Sequence, residues 1–128
     1  MWYMYMCAVS CCCMSPFCSS HAVTSDLDVA EIAKAAEFFL SDGVILTGQS
    51  TGQPADNREI ARVKEATPLP VLVGSGVTVD NLEQYIGADA LIVGSHFKEG
   101  GKWSNSVVKE RVAKFMEKMH SLALPNAD

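Results

Sequence analysis

Two short segments, Gly74-Ser75-Gly76 and Gly94-Ser95, carry the residue types best suited to chemistry in this chain. Glycine and serine leave backbone N–H groups open, and glycine lets the chain approach an anion closely. Thr47-Gly48 offers the same at a third place. Lys98 follows Gly94-Ser95 by a few residues. It suits a point charge for a phosphate and a solvated loop lysine equally well. His96 titrates near neutrality if unperturbed, yet a lone histidine is read first as a satisfied loop residue and second as an acid or base. Asp56 and Arg58 are read as solvated, with a site-facing orientation as the other option. Asp42 and Asp89 each precede an apolar run and are read as structural. His120 belongs to the terminus.

The elements that would position these residues follow from hydropathy. Residues 43–48, 70–76 and 90–95 are apolar runs of Val, Ile and Leu ending in small residues. None alternates apolar with polar, so each reads as a strand buried on both faces, the mark of a parallel sheet. Helical patterns lie between them. Residues 28–40 place Ile32, Ala35, Ala36 and Phe39 on one face, with Asp28 and Glu31 near the helix N-terminus. Residues 57–66 turn Ile60 and Val63 inward and end before Pro68 and Pro70. Thr78 is the expected N-cap of a short helix carrying Leu82, Tyr85 and Ile86, stopped by Gly87. Ser104 or Asn105 is the expected cap of a last helix with Val108, Val112, Phe115, Met116 and Met119 inward.

Strands alternating with helices imply a parallel α/β fold with right-handed crossovers. In such folds ligands bind at the C-terminal ends of strands. The three Gly-rich segments all fall there, and a helix starting near Val79 would aim its positive end the same way. Gly-Ser loops after the last two strands of a (β/α)8 barrel are a recurrent phosphate cradle. The plain alternative is that these glycines serve tight turns.

Composition divides the chain. Every Lys, Arg, Asp and Glu lies at or after Asp26, and all five cysteines lie between Cys7 and Cys18. Residues 1–20 lack the basic start of a signal peptide. Cys11, Cys12 and Cys13 are contiguous, without the C-x2-C spacing of zinc sites, so no metal site is expected. These residues show no amphipathic period and are expected to be foreign to the domain and without a fold of their own. No run reaches the roughly 18 apolar residues of a membrane span. The net charge of −5 argues against a nucleic-acid surface.

Two stretches resemble a known family. One is Ser41-Asp42-Gly43-Val44-Ile45-Leu46-Thr47-Gly48-Gln49-Ser50-Thr51-Gly52. The other runs from Pro70-Val71-Leu72-Val73-Gly74-Ser75-Gly76-Val77-Thr78 through Asn81 to Ala88-Asp89-Ala90-Leu91-Ile92-Val93-Gly94-Ser95, Lys98, Gly101 and Trp103. Together they resemble the BtpA family, which includes a cyanobacterial photosystem I biogenesis factor and animal homologues. The likeness spans residues 21–120. It implies part of a phosphate-binding (β/α)8 TIM barrel about twice this length, with three parallel strands equivalent to strands six to eight. It carries over Gly74, Ser75, Gly76, Gly94 and Ser95 as anion-binding residues, with Thr47, Gly48 and Lys98 beside them. It assigns no catalytic residue and no cofactor.

The resulting expectations are specific. Residues 21–120 form a C-terminal barrel portion and residues 121–128 a disordered tail. Ile45, Val71, Val73, Leu91, Val93, Ile32, Phe39, Ile60, Val63, Val112 and Phe115 are mainly buried. The chain is a truncated family member without independent activity, from a parent domain that binds a phosphorylated small molecule. The alternative is an assembly factor acting through protein binding. Sheet edges left open would favour self-association.

Overall fold

The computed structural model describes residues 11–13, 28–48 and 52–123. Strands β1 (Cys11–Cys13), β2 (Gly43–Thr47), β3 (Val71–Gly74) and β4 (Ala90–Ile92) form one sheet in the order β1-β2-β3-β4. All three pairings are parallel. Helices α1 (Val29–Phe38), α2 (Asn57–Ala66) and α3 (Lys109–Ala123) accompany them, with short 3-10 turns at Leu82–Tyr85, Ser95–Phe97 and Glu99–Gly101. The expected strands are therefore all present, and the expected third one is trimmed at its C-terminal end.

The sheet has two unlike faces. Val44, Leu46, Val71 and Val73 are fully buried and pack in the core with Ala33, Ala36, Ile60, Val63, Leu82 and Tyr85. In a strand the intervening residues point the other way. Ile45 and Leu72 on that second face are half-buried, and Ile92 is 47% exposed. Register aligns Ile45 with Leu72 and Leu72 with Ala90 across this face. Consecutive parallel strands joined by crossovers of one hand carry all their helices on one side. The alternation of burial follows from that arrangement.

β1 is an element that sequence reading did not anticipate. A parallel edge at β2 presents a row of N–H and C=O groups. Cys11, Cys12 and Cys13 align with Gly43, Val44 and Ile45 and extend the sheet at that edge. Three strands were expected and four are found, because backbone pairing is indifferent to the amphipathic period that residues 1–20 lack. The other residues of that segment lie outside the described residues, as does the tail from residue 124. α3 runs to Ala123, beyond the expected end at residue 120.

α1 forms where expected, but with a different buried face. Asp28 and Glu31 make a reciprocal capping box at its start. The buried stripe is Val29, Ala33 and Ala36, which share one side of the helix at spacings of four and three. Ile32 is half-buried, Ala35 is exposed, and Phe39 is 77% exposed. Phe39 was expected inside, but the helix ends at Phe38. Leu40 then adopts φ +58° to turn the chain back toward β2, so Phe39 sits past the last packed turn.

α2 matches its expected bounds. Asp56 caps it by accepting the Arg58 N–H at 2.9 Å. Ile60 and Val63 are buried and Thr67 ends it. Asp89 holds the neighbouring strand by its start: its Oδ2 accepts the Val71 N–H at 2.9 Å, and its Oδ1 pairs with Lys64 Nζ at 3.1 Å. This is the structural role the sequence suggested for Asp89.

α3 begins later than Ser104 or Asn105. The amide of Asn105 donates to the Glu99 carbonyl at 2.9 Å, closing the intervening loop instead of capping a helix. Lys98 and Val107 bridge antiparallel there. Phe115 is buried, Val112 and Met119 are half-buried, and Met116 stays 42% exposed. Of the remaining expected core, Val71, Val73, Ile60 and Val63 are buried, while Leu91 and Val93 are partly buried.

Candidate functional site

The strand ends bring the sequence-marked residues to one edge of the sheet. Thr47 aligns with Gly74, and Gly74 with Ile92. Gly48, the Gly74-Ser75-Gly76 turn and Gly94-Ser95 therefore leave three adjacent parallel strands at the same C-terminal end.

Packing explains part of this glycine content without a ligand. A Cβ on Gly48 would lie 2.1 Å from the Gln53 carbonyl oxygen, and one on Gly76 would lie 2.4 Å from the Gln53 carbonyl carbon. Gly76 also holds φ +66°, which disfavours side chains. Ser75 Oγ donates to that same Gln53 carbonyl at 3.0 Å. The backbone of Gln53 and Pro54 thus lies against the first Gly-rich turn. Gly74 fits between Ile45 and Ile92, whose carbons would stand 3.3 and 3.5 Å from a Cβ.

Gly94 differs. No described atom lies within 4 Å of the position its Cβ would take. Crowding therefore does not call for glycine there.

The loop after β3 is braced from within. Asn81 Oδ1 accepts the Thr78 N–H at 2.8 Å, its Nδ2 donates to the Gly76 carbonyl at 2.8 Å, and Thr78 Oγ1 accepts the Asn81 N–H at 3.4 Å. The helix expected from Val79 is replaced by a turn, with a four-residue 3-10 helix following at Leu82. The reason is visible in this bonding: Asn81 turns its side chain back to Gly76, and Thr78 serves the turn. The helix dipole once expected to face the site is therefore missing.

His96 joins the two loops. Its Nε2 accepts the Val79 N–H at 3.4 Å. The ring lies 5.9 Å from Phe115 and 6.1 Å from Phe97, centroid to centroid. Burial, and then the positive charge of Arg111, push its pKa below the usual value, with Lys114 adding to this and Asp80 opposing it.

The remaining marked residues lie in other surroundings. Asp56 and Arg58 pair with each other at 2.8 Å. The hydrogen bond from Arg58 holds the Asp56 carboxyl below its ordinary range. Lys98 enters none of the ion pairs among the described residues, and its carbonyl accepts from Arg111. Asp42 is exposed. Tyr85, buried by the loop before α2, donates to the Ala55 carbonyl at 2.8 Å, and burial raises its pKa. An apolar crevice between the Leu82–Tyr85 turn and α3 is lined by Leu82, Ile86, Leu91, Met119 and Leu122. Its lining offers little that could act on a polar substrate. Among the described residues no three His, Cys, Asp or Glu side chains gather as a metal site, and no helix is long and apolar enough to cross a membrane.

Sequence reasoning missed Gln53, and it named His96 without its partner. Gln53 acts through its backbone, which no side-chain signature announces. The role of His96 depends on two loops meeting across a strand pair, and Thr78, expected as a helix cap, braces the turn it joins together with Asn81.

Comparison with known proteins finds relatives in animals, archaea and bacteria. An uncharacterised mitochondrial protein of Caenorhabditis elegans is 43% identical over 104 residues, covering 81% of this chain and 38% of its own length. An uncharacterised protein of Thermococcus kodakarensis is 44% identical over 79 residues, covering 61% of this chain and 30% of its own. The putative sgc region protein SgcQ of Escherichia coli is 35% identical over 98 residues, covering 74% and 37%. The chain thus spans between about three-tenths and two-fifths of the length of these relatives. Residues 14–121 match the BtpA family, starting ahead of residue 21, where the sequence likeness was placed. With its consecutive parallel strands, Gly-rich strand ends and this match across most of its length, the chain belongs to the BtpA family.

Proposed function

We propose that this chain supplies one side of a phosphate-binding site, with β2, β3 and β4 equivalent to strands six to eight of a (β/α)8 barrel. The ligand is a phosphorylated small molecule. The observation that carries the reading is Gly94: a glycine with open space above it, beside a second Gly-Ser turn at the end of the adjacent parallel strand. Such a position leaves a backbone amide accessible to an anion. Gly74, Ser75, Gly76, Gly94 and Ser95 form the cradle, and Thr47, Gly48 and Lys98 border it. Catalysis in barrels draws on the ends of several strands, of which this chain contributes three. Thermal shifts with a panel of sugar phosphates and their unphosphorylated parents test this. A phosphorylated compound at about a hundred times its Kd should stabilise the fold by roughly 2.7 kcal/mol. Equal shifts from the unphosphorylated parents would reject phosphate recognition.

A second reading concerns the other sheet face. Ile92 is 47% exposed, and Ile45 and Leu72 are half-buried beside it. Apolar surface of this kind favours association. The chain is expected to self-associate through it. Sedimentation velocity should show oligomers, and an Ile92→Lys variant should shift them toward monomer. A monodisperse wild-type monomer with a cooperative melt rejects this reading.

A further inference from the structure

We propose that His96 gates the anion site: neutral, it occupies the Val79 amide and locks the two strand-end loops together; protonated, it releases that amide and becomes a second donor beside it. The inference rests on the phosphate-site reading and adds its regulation.

The argument begins with what Nε2 does. It accepts the Val79 N–H, so the bonded imidazole is neutral and carries its proton on Nδ1. Val79 lies in the loop after β3 and His96 in the turn after β4. This contact therefore links the two segments from which the cradle is built. Protonation places an N–H on Nε2, where an acceptor had been. Two donors then face each other across a separation of 3.4 Å. An anion oxygen satisfies both, whereas no acceptor from the ring remains.

The charged groups around the ring come from both sides of the contact. Asp80 lies in the loop after β3, and Arg111 and Lys114 lie on α3. Burial opposes a charged imidazole most, Arg111 and Lys114 oppose it further, and Asp80 favours it. The resting state is therefore the locked one. An anion between the loops offsets the repulsion from Arg111 and Lys114, so its binding and protonation of His96 assist each other. Linkage requires the effect to be reciprocal.

Sulfate is the suitable probe, because its charge is constant through the imidazole range. In the whole chain, three signals are followed by NMR: the His96 ring, the Val79 amide, and the amides of Gly76, Gly94 and Ser95. Without sulfate, the Val79 amide should shift with the same midpoint as the His96 ring. With sulfate, binding should tighten at least about fivefold as His96 protonates, the lower end of ordinary coupling. The His96 midpoint should rise correspondingly. His96→Gln keeps an acceptor but does not titrate, so its sulfate affinity should be independent of pH. A Val79 amide indifferent to the His96 titration overturns the lock, and this needs no variant to fold. An undiminished pH dependence in His96→Gln overturns the gate. Sulfate that moves none of the Gly76, Gly94 and Ser95 amides at any pH overturns the anion site and the gate with it. The sulfate-free Val79 signal tells that failure apart from failure of the lock.

Discussion

The turn after β3 and the turn after β4 contain similar residues and owe them to different causes. Gly76 cannot carry a side chain, because Gln53 lies where a Cβ would go and φ is +66°. Gly94 has open space where a Cβ would go. Glycine in the first turn is set by packing, while glycine in the second has no packing cause. The same two-letter pattern in a sequence therefore carries unequal functional weight. The weight belongs to the turn whose glycine packing does not require.

Substitutions should separate the two most sharply. Gly48→Ala and Gly76→Ala each force the Gln53 backbone to move, and the second also strains φ. Each should cost about 1–3 kcal/mol, read as a fall in the urea midpoint. A midpoint equal to wild type would show that the Gln53 contact is not maintained. Gly94→Ala displaces no neighbour and should cost less stability than Gly76→Ala, while weakening phosphate binding. Equal destabilisation by Gly94→Ala and Gly76→Ala would remove the distinction.

The cap of α2 offers a control distant from both turns. Asp56→Ala should cost about 0.5–2 kcal/mol through loss of the N-cap and leave phosphate affinity unchanged. Since Arg58 depresses the Asp56 pKa in the fold, its contribution is present above the ordinary aspartate range and is lost as pH falls through the lowered folded pKa. Calorimetry from neutral to acid pH should show this loss in wild type and not in the variant.

The smallest effect belongs to His96. Its folded pKa lies below the unfolded value, so the unfolded chain binds the proton better. Stability should be complete above the ordinary histidine pKa and decline as pH falls through it and toward the folded value. His96→Gln should flatten that decline. A melting temperature that rises on acidification over this range would contradict the sign.

What the sequence disclosed follows the same division between local and nonlocal causes. β2, β3 and β4 were legible because continuous Val, Leu and Ile runs mark parallel strands, although burial on both faces does not hold here: Ile45 and Leu72 are half-buried and Ile92 is 47% exposed. α2 was legible in its bounds, with Pro68 marking its end, whereas Asp56, read as solvated or site-facing, proves to be its cap. The face of α1 was misassigned because Phe39 continues the periodic pattern after the helix has stopped, and Leu40 reverses the chain. The start of α3 was placed too early because Asn105 resembles a cap but bonds Glu99. β1 was invisible, since backbone pairing at an edge leaves little signature in three cysteines. At the site, the Gly-Ser turns were legible as types. The closeness of Gln53 to Gly48 and Gly76, and of His96 to Val79, arises when separate loops meet, which residue spacing does not encode.

The most direct test is an amide-resolved titration of the whole chain with inorganic phosphate. The amides of Gly76, Gly94 and Ser95 should shift together with a single dissociation constant, while those at the opposite end of the sheet, Gly43 and Val71, stay still. Gly94→Ala should weaken that constant without unfolding the chain. Shifts confined to Gly43 and Val71, or no saturable shift at Gly94 and Ser95, would contradict a phosphate site at the strands' C-terminal ends.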